Sequence, residues 1–222
     1  MVVKRIWLSA ISLLLVAGAL SACMQTNYRD MDASAESATP FSRDVFYQVA
    51  DAFHSDPPEC VVVLSAVDAS MPLGLAALIE QAIALRLGQK ISRVIGPRER
   101  RAAERDLALD TRDEVDRRYL ARTEHCPAYL EWRLKDIDDS HFIVWSRKQI
   151  GLEVRLARSA DDAILWRAAH TTSRSDGGLP LSLMSLPLAA AEATIFNQDA
   201  DQLPSMIGDV VRRLVVTLPD VR

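Results

Sequence analysis

The sequence predicts an α/β sandwich on one mixed sheet, with a β-α-β-α start, an antiparallel meander and a closing C-terminal helix. Three observations carry this. Val61 to Val67 is a near-continuous apolar run, the pattern of a strand buried on both faces, and an apolar helical stretch from about Pro72 to Leu87 follows it. Ile150, Leu152, Val154 and Leu156 alternate with Glu153 and Arg155 at a period of two. Pro204 to Thr217 places Met206, Ile207, Val210, Val211, Leu214 and Val215 at helical spacing, and Pro219 ends it.

Upstream of this pattern, Lys4 and Arg5 form a short cationic start, and Ile6 to Leu20 is an apolar core of fifteen residues. At about 1.5 Å per residue that core is too short to cross roughly 30 Å of hydrocarbon as a helix. Residues 1–22 therefore read as a signal peptide with small residues at the cut. Leu20-Ser21-Ala22-Cys23 resembles a bacterial lipobox, which implies cleavage between Ala22 and Cys23 and acylation of the Cys23 thiol, palmitate included. An ordinary secretory peptide or amino-terminal anchor with a chance cysteine is the alternative. Met24 after the cysteine resembles the pattern sorted to the outer membrane, which implies a lipid anchor on its periplasmic face. Several acyl chains on one cysteine hold firmly, at about 0.8 kcal/mol per buried methylene, so the anchor needs no help from the fold.

Removing the signal leaves roughly 200 residues, ample for one domain with a full core. At 49% apolar and 25% charged residues the composition is globular, and the net charge of −4 becomes more negative once Lys4 and Arg5 are gone. Acidity and export both argue against a nucleic-acid partner. Cys60 and Cys126 remain in a compartment where disulfides persist, each just before an apolar strand-like run. If those strands are parallel neighbours, the two cysteines share one sheet edge, and a bridge would stabilise by roughly 4 kcal/mol on the chain-entropy account. Two free buried cysteines are the alternative.

Taken in order, Cys23 to residue 41 is polar and small, a flexible tether before a single domain over 42–222. Ser42 opens an expected helix with Val45, Phe46, Val49, Ala50 and Phe53 on one face, ended by Asp56-Pro57-Pro58. After the 61–67 strand, Ser70 is an expected N-cap for the helix carrying Leu75, Leu78, Ile79, Ala82, Ile83 and Leu87, which Gly88 stops. Ser92 to Ile95 is a short strand, and Gly96-Pro97 launches a charged helical region to about Thr123, interrupted near Asp110-Thr111. Its nine arginines from Arg93 to Arg122 interleave with seven acids from Glu99 to Asp116, a solvated, salt-bridged face and not a phosphate-binding stripe.

Tyr129 to Ile137 alternates as a strand, Asp138-Asp139 signals a turn, and Phe142 to Trp145 follows. Ser159 to Asp162 reads as the turn between the strand at 150–156 and its return over Ile164 to Thr171, with Glu153 and Arg167 able to meet across strands. Ser173 to Asp201 is loop-rich, with Ala189 to Phe196 as a short helix at most. Its apolar run of Leu179, Leu181, Leu183, Met184, Leu186 and Leu188 is broken by Pro180 and Pro187. Exposed, that run is a partner or self-association surface; folded over the sheet edge, it is core.

Catalytic signatures are missing. His54, His125, His141 and His170 are scattered, without metal-ligand spacing, and Gly177-Gly178 alone is no phosphate loop. His125 beside Cys126 lies on opposite faces of a strand, which disfavours a thiol nucleophile. Glu131 and Glu153 have arginine neighbours and read as ion pairs, not as a catalytic carboxylate couple. No cofactor, metal or catalytic residue is expected.

Ile150-Gly151-Leu152-Glu153-Val154-Arg155-Leu156, a polar turn, then Ala163-Ile164-Leu165-Trp166 resembles a hairpin of certain envelope lipoproteins. That group includes the curli-secretion lipoprotein, the lipoprotein activator of penicillin-binding proteins and the TolB amino-terminal domain. The likeness covers roughly residues 58–217 and matches no residue-specific functional motif. It implies a non-enzymatic periplasmic accessory or assembly subunit of an envelope complex. The partner is an envelope protein or further copies of the chain, and no long alternating insertion suggests a secretion pore. An envelope hydrolase or a periplasmic small-ligand-binding lipoprotein is the alternative.

Overall fold

The computed structural model describes residues 26–31, 44–66, 71, 73–142, 145–176 and 202–222. Among the described residues, seven strands form one mixed sheet in the order β1-β2-β7-β6-β5-β3-β4. They are β1 (Asn27–Asp30), β2 (Asp44–Val49), β3 (Cys60–Val63), β4 (Arg93–Ile95), β5 (Ala128–Phe142), β6 (Trp145–Arg158) and β7 (Ile164–Asp176). The described helices are α1 (Asp51–Ser55), α2 (Leu73–Leu87), α3 (Pro97–Leu107), α4 (Glu114–Thr123) and α5 (Gln202–Val216). This is the mixed α/β sandwich expected.

The centre follows from side-chain chemistry. β3 is a cysteine followed by three valines, buried throughout, and it pairs in parallel with both β4 and β5. Val61 and Val63 point into a core with α2 and α5, while Val62 and Leu64 join a smaller one that includes Leu120 of α4. Helices thus cover both faces of the β3 end. The indole of Trp132 donates to the Leu64 carbonyl and that of Trp166 to the Thr217 hydroxyl, each at 3.0 Å. Both tryptophans are buried, so these bonds keep their one polar atom satisfied.

β5, β6 and β7 are the antiparallel meander. At the reversal Asp162 takes φ 56°, a left-handed conformation that Asp tolerates, and the turn falls at 159–162 as expected. Two expectations about the meander are corrected. No turn forms at Asp138-Asp139: β5 runs unbroken to Phe142, which pairs with Trp145, and a register shift between Leu134 and Ile137 absorbs the irregularity. Glu153 does not meet Arg167, because the register sets it opposite Ala169 on β7. It meets Arg133 of β5 at 2.9 Å instead, and Arg155 meets Glu131 at 3.1 Å.

The start of the domain also differs from the sequence reading. Residues 44–49, expected as helix, are strand β2, antiparallel to β7. Val45 is buried, and Tyr47 and Val49 pack on the main core at period two, so the open edge of β7 overrides a helical spacing that is real but short. Only Asp51–Ser55 is helical, with Phe53 buried. Asn27–Asp30, inside the stretch read as a tether, pairs in parallel with β2 as the sheet's outermost strand.

The charged region forms two helices with the expected break. Ala108 caps α3 at φ 54°, and Asp113 caps α4 by accepting from the Val115 and Asp116 N–H groups.

Candidate functional site

Three features could do work, and each begins with a local choice of residues. The first is α2. Its inward face is Ile79, Ile83 and Leu87, buried against the sheet and α5. Its outward face should be polar, yet Leu78 and Leu85 stand there with exposures of 44% and 65%, with Leu73 at 89% in the first turn. Gly74, Leu78, Gln81 and Leu85 recur every three or four residues, so they form one stripe directly opposite the buried face. A helix apolar all round normally belongs inside a protein. Leu78 was expected with the core-facing residues and instead faces outward.

The second feature locks α2 in place. Glu80 of α2 accepts from Arg100 of α3 at 2.8 Å, and both side chains are buried. Burial pushes the Glu80 carboxyl up, while the Arg100 and Arg101 guanidiniums and a backbone hydrogen bond from Ala66 pull it down. Arg100 Nε and Nη1 have no hydrogen bond among the described residues, although Glu104 lies 3.8 Å from Nε and itself accepts from the Thr111 hydroxyl. Around this pair the region is the solvated salt-bridge face expected, as Arg93 with Glu99 and Glu124 illustrates. The sequence reading missed Arg100, because nothing in an interleaved charge run marks the one arginine that turns inward.

The third feature lies at the edge where β3 and β5 begin. Cys60 and Cys126 form a disulfide across 66 positions, as expected from parallel neighbouring strands. With its sulfur in that bond, Cys126 is no thiol nucleophile beside His125. A cleft of about 710 Å³ opens beside the disulfide between α4 and the β6–β7 turn, and one of about 310 Å³ lies on the other side of His125 and Pro127. Arg118, Arg122, His125 and Arg158 line the larger cleft. Arg118 pairs with Glu114 and Arg158 with Asp161. His125, held at φ 50°, and Arg122 reach the cleft edge exposed to solvent.

The other titratable positions do not converge. Glu131 and Glu153 are each ion-paired, as expected. Tyr129 donates to Asp162 at 2.6 Å and is pushed up to about 12, by burial first and then by that bond. No group of three or more potential metal ligands occurs among the described residues.

His170 of β7 is buried, its Nδ1 lies 2.9 Å from the Asp44 carbonyl, and its Nε2 has no partner among the described residues. Burial pushes the imidazole below its ordinary 6.5; the Asp44 carbonyl resists, Arg213 adds to the depression, and Asp209 and the Asp44 carboxylate oppose it. The folded protein therefore holds the ring neutral, while the unfolded chain takes a proton near 6.5. This contribution is fully present above about pH 6.5 and is lost as pH falls through 6.5 toward the lower folded value. Urea unfolding at stepped pH should show stability falling by up to about 1.4 kcal/mol per pH unit in that window. In His170→Leu that component of the slope should vanish.

Ala22, Cys23 and the run Leu179, Leu181, Leu183, Met184, Leu186 and Leu188 lie outside the described residues.

No established family matches the sequence, and no curated protein is similar to it. Solved structures are similar in outline. The PelC dodecamer from Paraburkholderia phytofirmans is 13% identical, with 80% of this chain and 98% of that chain covered and a TM-score of 0.49. The lipoprotein GNA1162 from Neisseria meningitidis is 15% identical, covering 64% of this chain and 98% of that one, at a TM-score of 0.42. A minor lipoprotein from Acinetobacter baumannii is 7% identical, covering 74% and 96%, at a TM-score of 0.36. What those proteins bind or build is theirs; for this chain the argument rests on its own residues.

Proposed function

We propose that this chain is a non-enzymatic subunit of a bacterial envelope complex, acylated at Cys23 and held on the periplasmic face of the outer membrane. It works by docking an envelope protein. The observation that carries this reading is the uncovered leucine stripe of α2, clamped in place by the Glu80–Arg100 pair. The lipobox-like Leu20-Ser21-Ala22-Cys23 supports the location.

A photo-crosslinking residue in place of Gln81, in whole cells, tests it. The expected product is one dominant adduct with an envelope protein. Burying a leucine contributes about 1.5–3 kcal/mol, so L78Q/L85Q should weaken that adduct by a hundredfold or so. Because both positions are exposed, the variant should unfold within about 0.5 kcal/mol of the parent. An adduct unchanged in a stably folded variant overturns docking through α2, and an adduct with a second copy redirects it to self-association.

A second reading, capture of a small and largely apolar ligand, is favoured by the cleft beside the disulfide. It predicts crosslinking from position 81 that is indifferent to Leu78 and Leu85.

A further inference from the structure

Acylation of Cys23 has a geometric consequence, set by how soon after that residue the fold begins. Thr26 is already part of the domain: Arg213 of α5 donates to its hydroxyl at 2.5 Å while also donating to Asp209. Asn27–Asp30 is then laddered onto β2, Met31 N–H donates to the Tyr47 carbonyl, and Arg29 pairs with Asp44. The Asp209 carboxyl behind Arg213 feels burial pushing it up, but hydrogen bonds from Arg212 and Arg213 outweigh this and hold it below its usual range.

Only Met24 and Gln25 separate Cys23 from Thr26. Three Cα–Cα steps of 3.8 Å span at most about 11 Å. A flexible tether of some eighteen residues, as the composition of 23–41 suggested, would let the domain wander by roughly 23 Å. The difference decides whether the domain hangs in the periplasm or rests on the bilayer.

We infer that the β1 edge of the sheet lies against the phospholipid headgroups, a lipid-docking surface fixed by the two-residue connection between Cys23 and Thr26. The inference rests on the acylation in the proposed function. Its occupant is set by the length of chain beyond Thr26 and by where that chain ends. The surface suits it. Tyr28 is 44% exposed and amphipathic, the residue type that sits at the headgroup level. β1 has strand β2 on one side and no strand on the other among the described residues. The charges of Arg29, Arg212 and Arg213 balance those of Asp30, Asp44 and Asp209 near β1, so there is no excess of negative charge to repel anionic lipid. The opposite end of the sheet, with α3, stands six strand spacings away, roughly 29 Å.

The test uses the full-length protein, processed in cells and checked for acyl mass on Cys23. It is reconstituted into vesicles of phosphatidylethanolamine and phosphatidylglycerol carrying a headgroup nitroxide. A fluorophore is attached through Tyr28→Cys or, as the distant control, Arg105→Cys on α3. Quenching several-fold stronger at position 28 than at 105 is expected, and inserting about twenty Gly/Ser residues after Gln25 should bring the two together. Equal quenching at both positions of acylated protein overturns the inference and leaves the proposed function standing. A position-28 label shielded from solvent but not quenched by lipid overturns it in favour of pairing between two copies. A mature protein without acyl mass overturns both.

Discussion

Arg100→Ala is expected to destabilise the domain by about 3–5 kcal/mol, a large fraction of the stability of most single domains. The size comes from what is left behind. Glu80 would remain buried with its nearest counter-charge gone, on a helix that cannot turn it to water without pulling Ile79 and Ile83 from the core. Glu80→Ala should cost a comparable amount by orphaning the guanidinium. The pair itself is a different quantity: Glu80→Met/Arg100→Met removes both charges and should be neutral or stabilising by about 1–4 kcal/mol. Urea unfolding of the parent, Glu80→Met, Arg100→Met and the Glu80→Met/Arg100→Met double variant closes the cycle. Additive single and double effects would mean that the two side chains do not depend on each other. A stabilised double variant that loses its crosslink from position 81 would indicate that the pair is kept for the placement of the leucine stripe.

Removing the disulfide should cost roughly 4 kcal/mol, because the bond spans 66 positions and the denatured chain regains that loop's freedom. Cys60→Ala/Cys126→Ala is the cleaner variant, since both cysteines are buried and a reductant reaches them only through opening. A lower denaturant midpoint with a steeper slope is expected, because the unlinked unfolded chain exposes more surface. A midpoint within experimental error of the parent would mean that native strain cancels the entropic gain.

What was legible in the sequence was what repeats locally. The alternation from Ile150 to Leu156, the valines of β3 and the glycine-proline start of α3 each specify a conformation within a few residues, and each element appears there, although β3 ends at Val63, short of the expected 61–67 run. The cysteine pairing was legible because both stand at the entry to apolar strands, which become parallel neighbours. What failed depended on distant partners. β2 takes its conformation from β7, more than a hundred residues later, and its own spacing fits a helix equally well. β1 is four polar and aromatic residues that say nothing of a strand until β2 offers an edge. Arg100 is one arginine among nine, distinguished only by the glutamate facing it from α2. The leucine stripe was half visible: a helix with leucines on every side carries more apolar surface than one core contact can cover, but periodicity does not say which side is left out.

The span of the disulfide has a further consequence for a chain that has been cut. Between Cys60 and Cys126 lie α2, β4, α3 and α4, with the link from Ala108 to Asp113 among them, exposed at Asp110 and Arg112 and pinned by the buried Thr111. A protease cutting that link would leave two chain pieces still joined sulfur to sulfur, with the amino-terminal piece carrying Cys23 and the carboxy-terminal piece carrying the meander. A nicked molecule would keep both pieces and its outward helices together, so damage there would be silent until the bond is reduced.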